Sequence, residues 1–555
     1  MLHITIDQQK YTCPKGTVLL ELIRKAYPQK EKNILGCLEG GMVTELAMTL
    51  EKDHQFETIT YQHEEGRRIY ERSLRFVLLI AVERLFPKEK MRMLNSIGYG
   101  ISGKLLDTFL TRDQISLLKE EMEKIVLEDY PFEKAIWSKE EAIAYFKEKG
   151  QKDKVDLLAY RPYDYFPIYT CAGQKEYFYG AMVPSTGWVS VFHIRPLFPG
   201  WVLQLPNPKK ADQASTYTQH PKFQSVFAES QRWCNILNVE NAADINRMIA
   251  KDQVRKFIRV SESLHDRAMA DVADAILQKR SRIVLIAGPS SSGKTTFTNR
   301  LAIHLEVLGL KPILVSLDDF YLDRSQIPFL PDGSQDLEHI NTLDIPFFTD
   351  ALERLIAGET VGMPRFNFQT GSREEELVPL QIQQDQPILV EGIHGLNPLL
   401  SEEFTDDMLY RIYVSALTCI NLDNHNRIRT TDVRLLRRIV RDYQFRGTAP
   451  TETMNMWESV RAGEEKWIFP YQELADIMIN TTLHYELPVL KNTAYELLKN
   501  IKQGDPQYLM SRRLLKILHY FYPLPENTME EIPPLSILRE FIGGSTFYGA
   551  PDMKG

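Results

Sequence analysis

Cysteine is scarce in this chain of 555 residues, and no two of its cysteines are close together. None forms the CxxC pair that is typical of zinc ribbons, so the sequence argues against a zinc ribbon and against a disulfide framework. Reduced thiols are the expected state of such cysteines in a cytosolic chain. The five residues are Cys13, Cys37, Cys171, Cys234 and Cys419.

Long hydrophobic runs and an excess of positive charge are also missing. The longest apolar runs, such as residues 76–82, are far shorter than the roughly 20 residues that a membrane helix needs. The N-terminus shows no basic stretch followed by an apolar one, so no signal peptide is expected. The 66 basic and 74 acidic residues give a net charge of −8, which argues against bulk nucleic-acid binding but leaves a local basic patch open. We expect a cytoplasmic protein with no membrane partner.

Short apolar runs alternate with amphipathic helical stretches from residue 282 onward. The runs are RIVLIAG, ILVSL, PILVEG, RIYVSA and DIMINT. This rhythm is typical of a parallel sheet with helices on both faces, and such sheets bind ligands at the carboxyl ends of their strands. The residues at these ends are therefore the candidates for a functional site.

The first run leads into GPSSSGKT, which fits the phosphate-loop pattern GxxxxGK[ST]. Its glycines let several N–H groups point at one phosphate, and the following helix adds the positive end of its dipole. Lys294 is expected to bridge the β- and γ-phosphates and Thr295 to ligate Mg²⁺. A Gly/Ser-rich turn that binds nothing is the alternative. The predicted ATP-binding residues of the loop are Gly288, Pro289, Ser290, Ser291, Ser292, Gly293, Lys294, Thr295 and Thr296.

Carboxylates follow two other predicted strands. Asp318 and Asp319 come after ILVSL, and Glu391 comes after PILV. A carboxylate at Asp318 can accept the proton of an attacking hydroxyl or help to hold Mg²⁺, and Glu391 is placed to orient the metal. The alternatives are an Asp pair that caps a turn and an exposed glutamate at a strand end.

Seven arginines fall between positions 427 and 446. Four of them share one face of a predicted helix, where like charges repel unless an anion lies among them. Guanidinium groups match phosphate oxygens, so contacts with the triphosphate and the transition state are the favoured interpretation. A solvated helix paired with Asp432 and Asp442, or an RNA-binding face, is the alternative. The four are Arg434, Arg437, Arg438 and Arg441.

Six segments in order resemble the uridine kinase and phosphoribulokinase family: the phosphate loop, DDFY, MPRFNFQTGSR, LVEGI, DVRLLRRIVRDYQFRG and FPYQELADIMINT. The resemblance implies a five-stranded parallel sheet with a mobile lid and transfer of the ATP γ-phosphoryl group to a sugar hydroxyl. It implies that Asp318 is the catalytic base and that Glu391, with Thr295, holds Mg²⁺. Lys294 and the lid arginines Arg438 and Arg441 are also expected to be catalytic. A third lid arginine, Arg446, is expected to bind ATP.

The substrate-reading segment departs from uridine kinases, which read VYDFxxHSR where this chain has RFNFQTGSR. A tyrosine and a histidine that face the pyrimidine become Phe366 and Gly371, and a glutamine becomes Met456. Glu338 stands where an aspartate holds the ribose. Losing such groups costs discrimination by orders of magnitude, so a small hydroxyl-bearing substrate is a firmer expectation than uridine. The predicted substrate-binding residues are Asp318, Tyr321, Glu338, Phe366, Phe368 and Arg373.

The first 205 residues resemble the front of threonyl-tRNA synthetases. Residues 1–60 resemble the TGS module, and residues 61–205 resemble the editing domain, through RRIYERSLRFVLLIAVERLFP and EYFYGAMVPSTGWVSVF. The His/His/Cys/His positions of that domain are replaced, so neither editing nor metal binding is expected. A scaffold that docks on the kinase and a regulatory or RNA-sensing role are both left open. The four replacements are Arg72, Phe76, Phe178 and Met182.

The predicted fold class is multidomain. A β-grasp unit (1–60), an α+β editing-like unit (61–205) and a helical connector (206–280) precede an α/β P-loop kinase with a five-stranded parallel sheet (281–500) and a tail (501–555). The leading hypothesis is an ATP- and Mg²⁺-dependent kinase that phosphorylates a hydroxyl of a small substrate, foremost a nucleoside. The alternative is an RNA- or tRNA-sensing regulator that uses the P-loop as a nucleotide switch. Homo-oligomerisation is left open.

Overall fold

The computed structural model describes residues 1–329, 333, 335–367 and 370–547. Phe368, one of the predicted substrate residues, lies outside the described residues.

The first 60 residues form a five-stranded sheet with one helix packed on it. The alternating HITI segment turns Ile4 and Ile6 to the buried side, where they join Leu22 and Ile23 of the helix in one apolar cluster. The sheet order is β2-β1-β5-β3-β4, with β1 and β5 parallel. The elements are β1 (Leu2–Ile6), β2 (Gln9–Cys13), α1 (Leu19–Ala26), β3 (Gly36–Glu39), β4 (Met42–Thr44) and β5 (His54–Ile59).

The next unit combines a long buried helix with two antiparallel sheets. Most of α2 is buried, including charged side chains that face the C-terminal half of the chain. The sheets have the orders β10-β9-β8 and β11-β12-β7-β6. The elements are α2 (Glu64–Leu85), β6 (Met91–Ile97), β7 (Gly100–Leu105), α3 (Arg112–Glu128), β8 (Glu133–Ser138), α4 (Lys139–Glu148), α5 (Lys152–Ala159), β9 (Tyr165–Cys171), β10 (Gln174–Tyr177), β11 (His193–Leu197) and β12 (Gly200–Gln204).

The connector begins with a small hairpin and continues with three helices. The sequence predicts a break between positions 206 and 221, but Asn207 pairs with Lys210 across a tight turn there. The following segment is helical, as predicted. The elements are β13 (Pro206–Asn207), β14 (Lys210–Ala214), α6 (Pro221–Leu237), α7 (Ala242–Ala250) and α8 (Val254–Lys279).

The C-terminal half contains a five-stranded sheet in which all strands run parallel, in the order β16-β21-β15-β22-β23. The five predicted apolar runs are these five strands. The elements are β15 (Ile283–Ala287), α9 (Lys294–Val307), β16 (Ile313–Ser316), α10 (Ile345–Ile356), β17 (Val361–Met363), β18 (Phe366–Asn367), β19 (Ser372–Arg373), β20 (Val378–Leu380), β21 (Ile388–Glu391), β22 (Leu409–Ser415), α11 (Thr430–Arg446), α12 (Pro450–Trp467), β23 (Ile477–Asn480) and α13 (Glu486–Lys499), followed in the tail by α14 (Tyr508–Leu518), α15 (Glu526–Met529) and α16 (Arg539–Ile542).

One apolar core joins the two halves of the chain. It includes Phe166 and Tyr177 of the editing-like unit, Ile286 of the central strand, and Leu538 and Phe541 of the tail. The tail is therefore part of the folded body as far as residue 547. Within the described ranges, no helix is both long and apolar enough to cross a bilayer.

Candidate active site

The phosphate loop joins β15 to α9, and its backbone requires glycine at two positions. Gly293 lies at the N-terminus of α9 with φ of +84°, a conformation that side chains with a Cβ disfavour. A Cβ on Gly293 would also lie 2.6 Å from Cγ2 of Ile537. At Gly288 a Cβ would lie 2.0 Å from the carbonyl oxygen of Val414. The loop is thus enclosed tightly, with the helix N-terminus turned to the place where an anion binds.

The strand order brings three predicted site residues to one edge of the sheet. Asp318 follows β16, Glu391 ends β21 and Lys294 follows the loop after β15, and these three strands are neighbours. The hydroxyl of Thr295 donates a hydrogen bond of 3.2 Å to Oε1 of Glu391. Lys294 lies close enough to Asp318 and Glu391 for its charge to act on the pKa of both carboxylates.

The two carboxylates have unusual pKa values because they share a buried site. Burial is the main cause that raises the pKa of Glu391 to about 7; the charge of Asp318 adds to it, and Lys294 opposes it. Burial also raises the pKa of Asp318, while Lys294 and Arg446 oppose that shift. Carboxylates perturbed in this way are typical of functional sites.

The residues present suit Mg²⁺. Thr295 and Glu391 offer oxygen donors, and their buried negative charge is the environment that a divalent cation stabilises. In the part of the chain that the structure describes, no group of three or more His, Cys, Asp or Glu is placed to hold a metal. At kinase sites, one or two carboxylates together with the substrate phosphates commonly hold Mg²⁺.

Two of the four arginines on the predicted helix face stabilise the phosphate loop and its surroundings through hydrogen bonds to backbone carbonyls and ion pairs with glutamates. Arg434 donates to the carbonyl oxygen of Ser290 at 3.0 and 2.8 Å and pairs with Glu464. Glu464 in turn accepts a hydrogen bond from the Ser290 N–H at 3.1 Å. Arg437 pairs with Glu486 and donates to the carbonyl of Thr481 at 2.9 Å. The repulsion expected between these two arginines is therefore offset by two buried glutamates.

The remaining arginines of α11 lie nearer to solvent. Arg438 donates to the hydroxyl of Ser290 at 2.9 Å and pairs with Asp442 at 3.3 Å. Arg441 pairs with the same Asp442 at 2.8 Å, and Arg446, half exposed, lies 3.7 Å from it. The structure thus brings Arg438 to the phosphate loop, whereas Arg441 is held by its neighbour in sequence. Arg446 lies near enough to lower the pKa of Asp318.

The predicted substrate residues lie beside Asp318. The rings of Tyr321 and Phe366 are 5.8 Å apart. Arg373 donates to the carbonyls of Tyr321 and Phe320 at 2.9 and 2.8 Å and pairs with Asp344 at 3.0 Å. The guanidinium of Arg373 therefore positions the segment that contains Asp318 and Tyr321.

Glu338 packs against Gly463 of α12, where a Cβ would come within 2.5 Å of the Cβ of Glu338. Burial, reinforced by the charge of Glu464, raises the pKa of Glu338 to about 7, and Arg438 opposes the shift. Met456 is 44% exposed on α12. Its position gives no support to a place in a base pocket.

The tail contains no recognisable functional motif, yet it contacts the phosphate loop. Glu540 accepts a hydrogen bond of 2.8 Å from the hydroxyl of Thr296. Phe541 is fully buried, and its ring centroid lies 5.0 Å from the guanidinium carbon of Arg437. No local sequence signal marks these contacts, because they depend on a return of the chain after more than 240 residues.

His394 lies in the turn after β21, where its carbonyl accepts a 2.7 Å hydrogen bond from the N–H of Asn397. Its side chain is 1% exposed. Burial lowers the pKa of His394 to about 4. Trp457 of α12 is also buried, with 4% of its surface exposed.

A buried histidine with a lowered pKa predicts a pH-dependent stability difference. Between the ordinary histidine pKa of about 6.5 and a pH of about 4, only the unfolded chain protonates His394. The histidine therefore lowers the free energy of unfolding as the pH falls through this range. His394→Gln lacks this loss, so its free energy of unfolding should rise by about 2 kcal/mol relative to that of the unaltered protein between pH 7 and pH 5. Urea denaturation at the two pH values measures it. The exposed His3→Gln is the matched control, and equal shifts in both variants would contradict the prediction.

The four positions that replace the editing cluster are not arranged as a polar site. Phe76 and Phe178 are fully buried with ring centroids 5.4 Å apart, and Met182 is 2% exposed. The guanidinium of Arg72 donates to the carbonyl of Ala181. Arg72 is the one polar side chain among the four, and it lines a cavity next to this apolar core.

Comparisons with known proteins agree with the two halves seen in the structure. Residues 283–487 match the Phosphoribulokinase / Uridine kinase family. The uridine kinase of Deinococcus deserti is 29% identical over 202 residues, which cover 36% of this chain and 87% of that enzyme. The N-terminal region of this chain matches the threonine–tRNA ligase of Symbiobacterium thermophilum. The two are 31% identical over 200 residues, which cover 35% of this chain. The chain spans about 30% of the length of that ligase.

Among solved structures, a protein described as a possible uridine kinase from Bacillus stearothermophilus matches with a TM-score of 0.27 and 18% identity, over 39% of this chain and 98% of that one. The D-glycerate 3-kinase of Cryptococcus neoformans matches with a TM-score of 0.21 and 15% identity, over 45% of this chain and 87% of that one. The family match, together with the five parallel strands, shows that residues 283–487 are a P-loop kinase domain of the phosphoribulokinase and uridine kinase family, joined to an N-terminal region similar to threonine–tRNA ligases.

Proposed function

We propose that the protein is an ATP- and Mg²⁺-dependent kinase that transfers the γ-phosphoryl group to a hydroxyl of a small substrate, foremost a nucleoside. The observation that supports this best is the meeting of Lys294, Thr295, Asp318 and Glu391 at one edge of the parallel sheet. A phosphate loop, a metal-binding pair and a carboxylate for the acceptor hydroxyl are the parts that phosphoryl transfer requires.

Each residue has a role that follows from its position. Asp318 accepts the proton of the attacking hydroxyl or holds it in line with the γ-phosphorus. Lys294 and the N–H groups of the loop stabilise the charge on the phosphates. Arg438, which reaches the loop at Ser290, and Arg446, which lies near Asp318, are placed to meet that charge from the α11 side.

The metal belongs at Thr295 and Glu391. When bound there, Mg²⁺ neutralises charge on the phosphate oxygens, and the residues that hold it are the Thr295 hydroxyl and the Glu391 carboxylate. The Thr295 hydroxyl donates a hydrogen bond to Glu391, and this contact orients the carboxylate.

The nucleoside assignment rests on similarity to uridine kinases and on the side chains near Asp318. Tyr321 and Phe366 supply two aromatic rings in contact, and Glu338 supplies a carboxyl group with a pKa of about 7. Phe366 stands where uridine kinases have a tyrosine that faces the pyrimidine. We therefore expect weaker discrimination between bases than those enzymes achieve.

The test is a phosphorylation screen across nucleosides and simple sugars, with mass detection of the product. We expect a 5′-monophosphate from at least one nucleoside, with rates for different bases within about two orders of magnitude because few polar groups read the base. Omission of Mg²⁺ and the Lys294→Ala variant are the controls, and both should abolish product.

If only sugars give a product, the proposed kinase activity would stand and the nucleoside would be rejected as its acceptor. No product from any acceptor, with ATP hydrolysis stimulated only by RNA, would reject the proposal in favour of a nucleotide-switched RNA regulator.

A further inference from the structure

A large cavity lies between the two halves of the chain, and no residue of the phosphate loop lines it. Its volume is about 1060 Å³, and its walls come from the first sheet, from α2, from the β9–β10 region, from the segment before α11, and from α14. Ten lysines and arginines line it against four glutamates. A cavity with this excess of cations attracts anions, because field lines concentrate in clefts of one sign.

Carboxylates already neutralise much of this positive charge, and the cations without such a partner mark the part of the cavity that can bind an anion. Arg68 and Arg513 pair with Asp432, and Arg427 pairs with Glu71. Lys134 pairs with Glu45. Among the described residues, four cavity cations have no carboxylate within 4 Å: Arg72, Arg161, Arg512 and Lys516.

Two of these four are buried arginines with a free donor. Arg72 and Arg161 are each 8% exposed, and within the described ranges the Nε of each has no hydrogen-bond partner. A Cβ at Gly180 would lie 2.4 Å from the Arg72 guanidinium, so the glycine makes room for that group. Burying a guanidinium without an anion is costly, and an N–H left unpaired adds to the cost.

Two of the four cations lie against one tyrosine, and the other two are near enough for their charges to act on Lys516. The guanidinium carbon of Arg72 lies 6.0 Å from the centroid of the Tyr179 ring, and Nζ of Lys516 lies 5.8 Å from the same centroid. Burial, reinforced by the charges of Arg72 and Arg161, lowers the pKa of Lys516 to about 7. Like charges held this close favour an anion between them.

We propose that this cavity binds the phosphate of a nucleotide, with Arg72, Arg161, Lys516 and Arg512 as its anion site. Guanidinium groups match phosphate oxygens, and the lysine adds a point charge. The volume is far larger than one phosphate needs, and tyrosine rings beside the cations, such as Tyr163 and Tyr165, give a base a surface on which to stack. A free nucleotide and the terminus of an RNA chain both offer this chemistry.

Binding is measured by isothermal titration calorimetry on the full chain with Lys294→Ala, which weakens phosphate binding at the loop. The probes are inorganic pyrophosphate, AMP and a 5′-phosphorylated RNA tetranucleotide. We expect AMP to bind more tightly than pyrophosphate, and Lys516→Gln to weaken binding of AMP at least tenfold. Preference for the tetranucleotide over AMP would assign the site to RNA termini, and the reverse would assign it to free nucleotides.

Three further variants separate binding from folding. Lys516→Arg keeps the charge and should bind within about threefold of the parent protein. Arg512→Gln, at an exposed position, should weaken binding without lowering the thermal midpoint. Lys502→Gln removes the same charge from an exposed position that does not line the cavity, and should bind like the parent. No binding of any probe, or equal affinities in Lys516→Gln and Lys502→Gln, would overturn the proposal.

Discussion

Asp318→Asn is expected to lower kcat by about 10²–10⁴-fold while the affinity for ATP changes less than about twofold. The amide keeps the size of the side chain but cannot take the proton of the attacking hydroxyl. ATP affinity is preserved because the phosphate contacts come from the loop after β15 and from α9, whereas Asp318 follows β16. Steady-state kinetics with the best acceptor and calorimetric titration of ATP measure the two quantities.

Asp319→Asn is the matched control for this experiment. Asp319 is the next residue, but its Oδ1 accepts a hydrogen bond of 3.3 Å from the N–H of Phe366. An asparagine can still accept that bond, so its kcat should fall much less than that of Asp318→Asn. A wild-type rate in Asp318→Asn, or equal losses in the two variants, would show that Asp318 is not the base.

Arg437→Met should lower the free energy of unfolding by about 3–5 kcal/mol, because it leaves the carboxylate of Glu486 buried without its partner. Arg437 and Glu486 are both almost fully buried and form an ion pair. Arg437 also holds the carbonyl of Thr481, next to the phosphate loop. Urea denaturation monitored by tryptophan fluorescence measures the loss, and the affinity for ATP should fall with it.

Two further variants test the cause of that loss. Arg437→Met combined with Glu486→Leu removes both charges and should recover most of the stability, since an apolar pair can replace a buried ion pair. Arg232→Met removes an arginine that is 70% exposed and pairs only at the surface, so its effect should stay within about 0.5 kcal/mol. A loss below about 1 kcal/mol in Arg437→Met would contradict the prediction.

The strands of the kinase sheet could be predicted from the sequence because each is a short apolar run between turn signals. Their order could not, since β16, β21 and β15 become neighbours only through crossovers that the sequence does not mark. The β13–β14 hairpin was also missed, because Pro206 and the polar residues after it read as a break.

The candidate site divides in the same way. The phosphate loop is a local motif whose glycines and lysine are adjacent in sequence, so it could be recognised directly. Glu464 reaches Ser290 across 174 positions, and Glu540 reaches Thr296 across 244. Glutamates in amphipathic helices read as solvent-facing, and nothing nearby in the sequence indicates that they support the loop. Pairing across such distances is decided by tertiary packing alone.

The units follow one another along the chain like domains that could be exchanged between proteins. The buried ion pairs between them indicate instead that the N-terminal half and the kinase domain are inherited together. Lys154 of the editing-like unit is fully buried between Glu176 and Asp423, the latter contributed by the segment before α11. Arg68 of α2 is likewise buried against Asp432 of α11. A kinase domain cut free at residue 281 would expose the apolar surface that it shares with the N-terminal half and would lose Lys154 and Arg68, leaving Asp423 without its buried lysine and Asp432 with Arg513 alone. Substitutions on either side of this shared surface should therefore be compensated on the other, and domain swaps with free-standing uridine kinases should fail to fold.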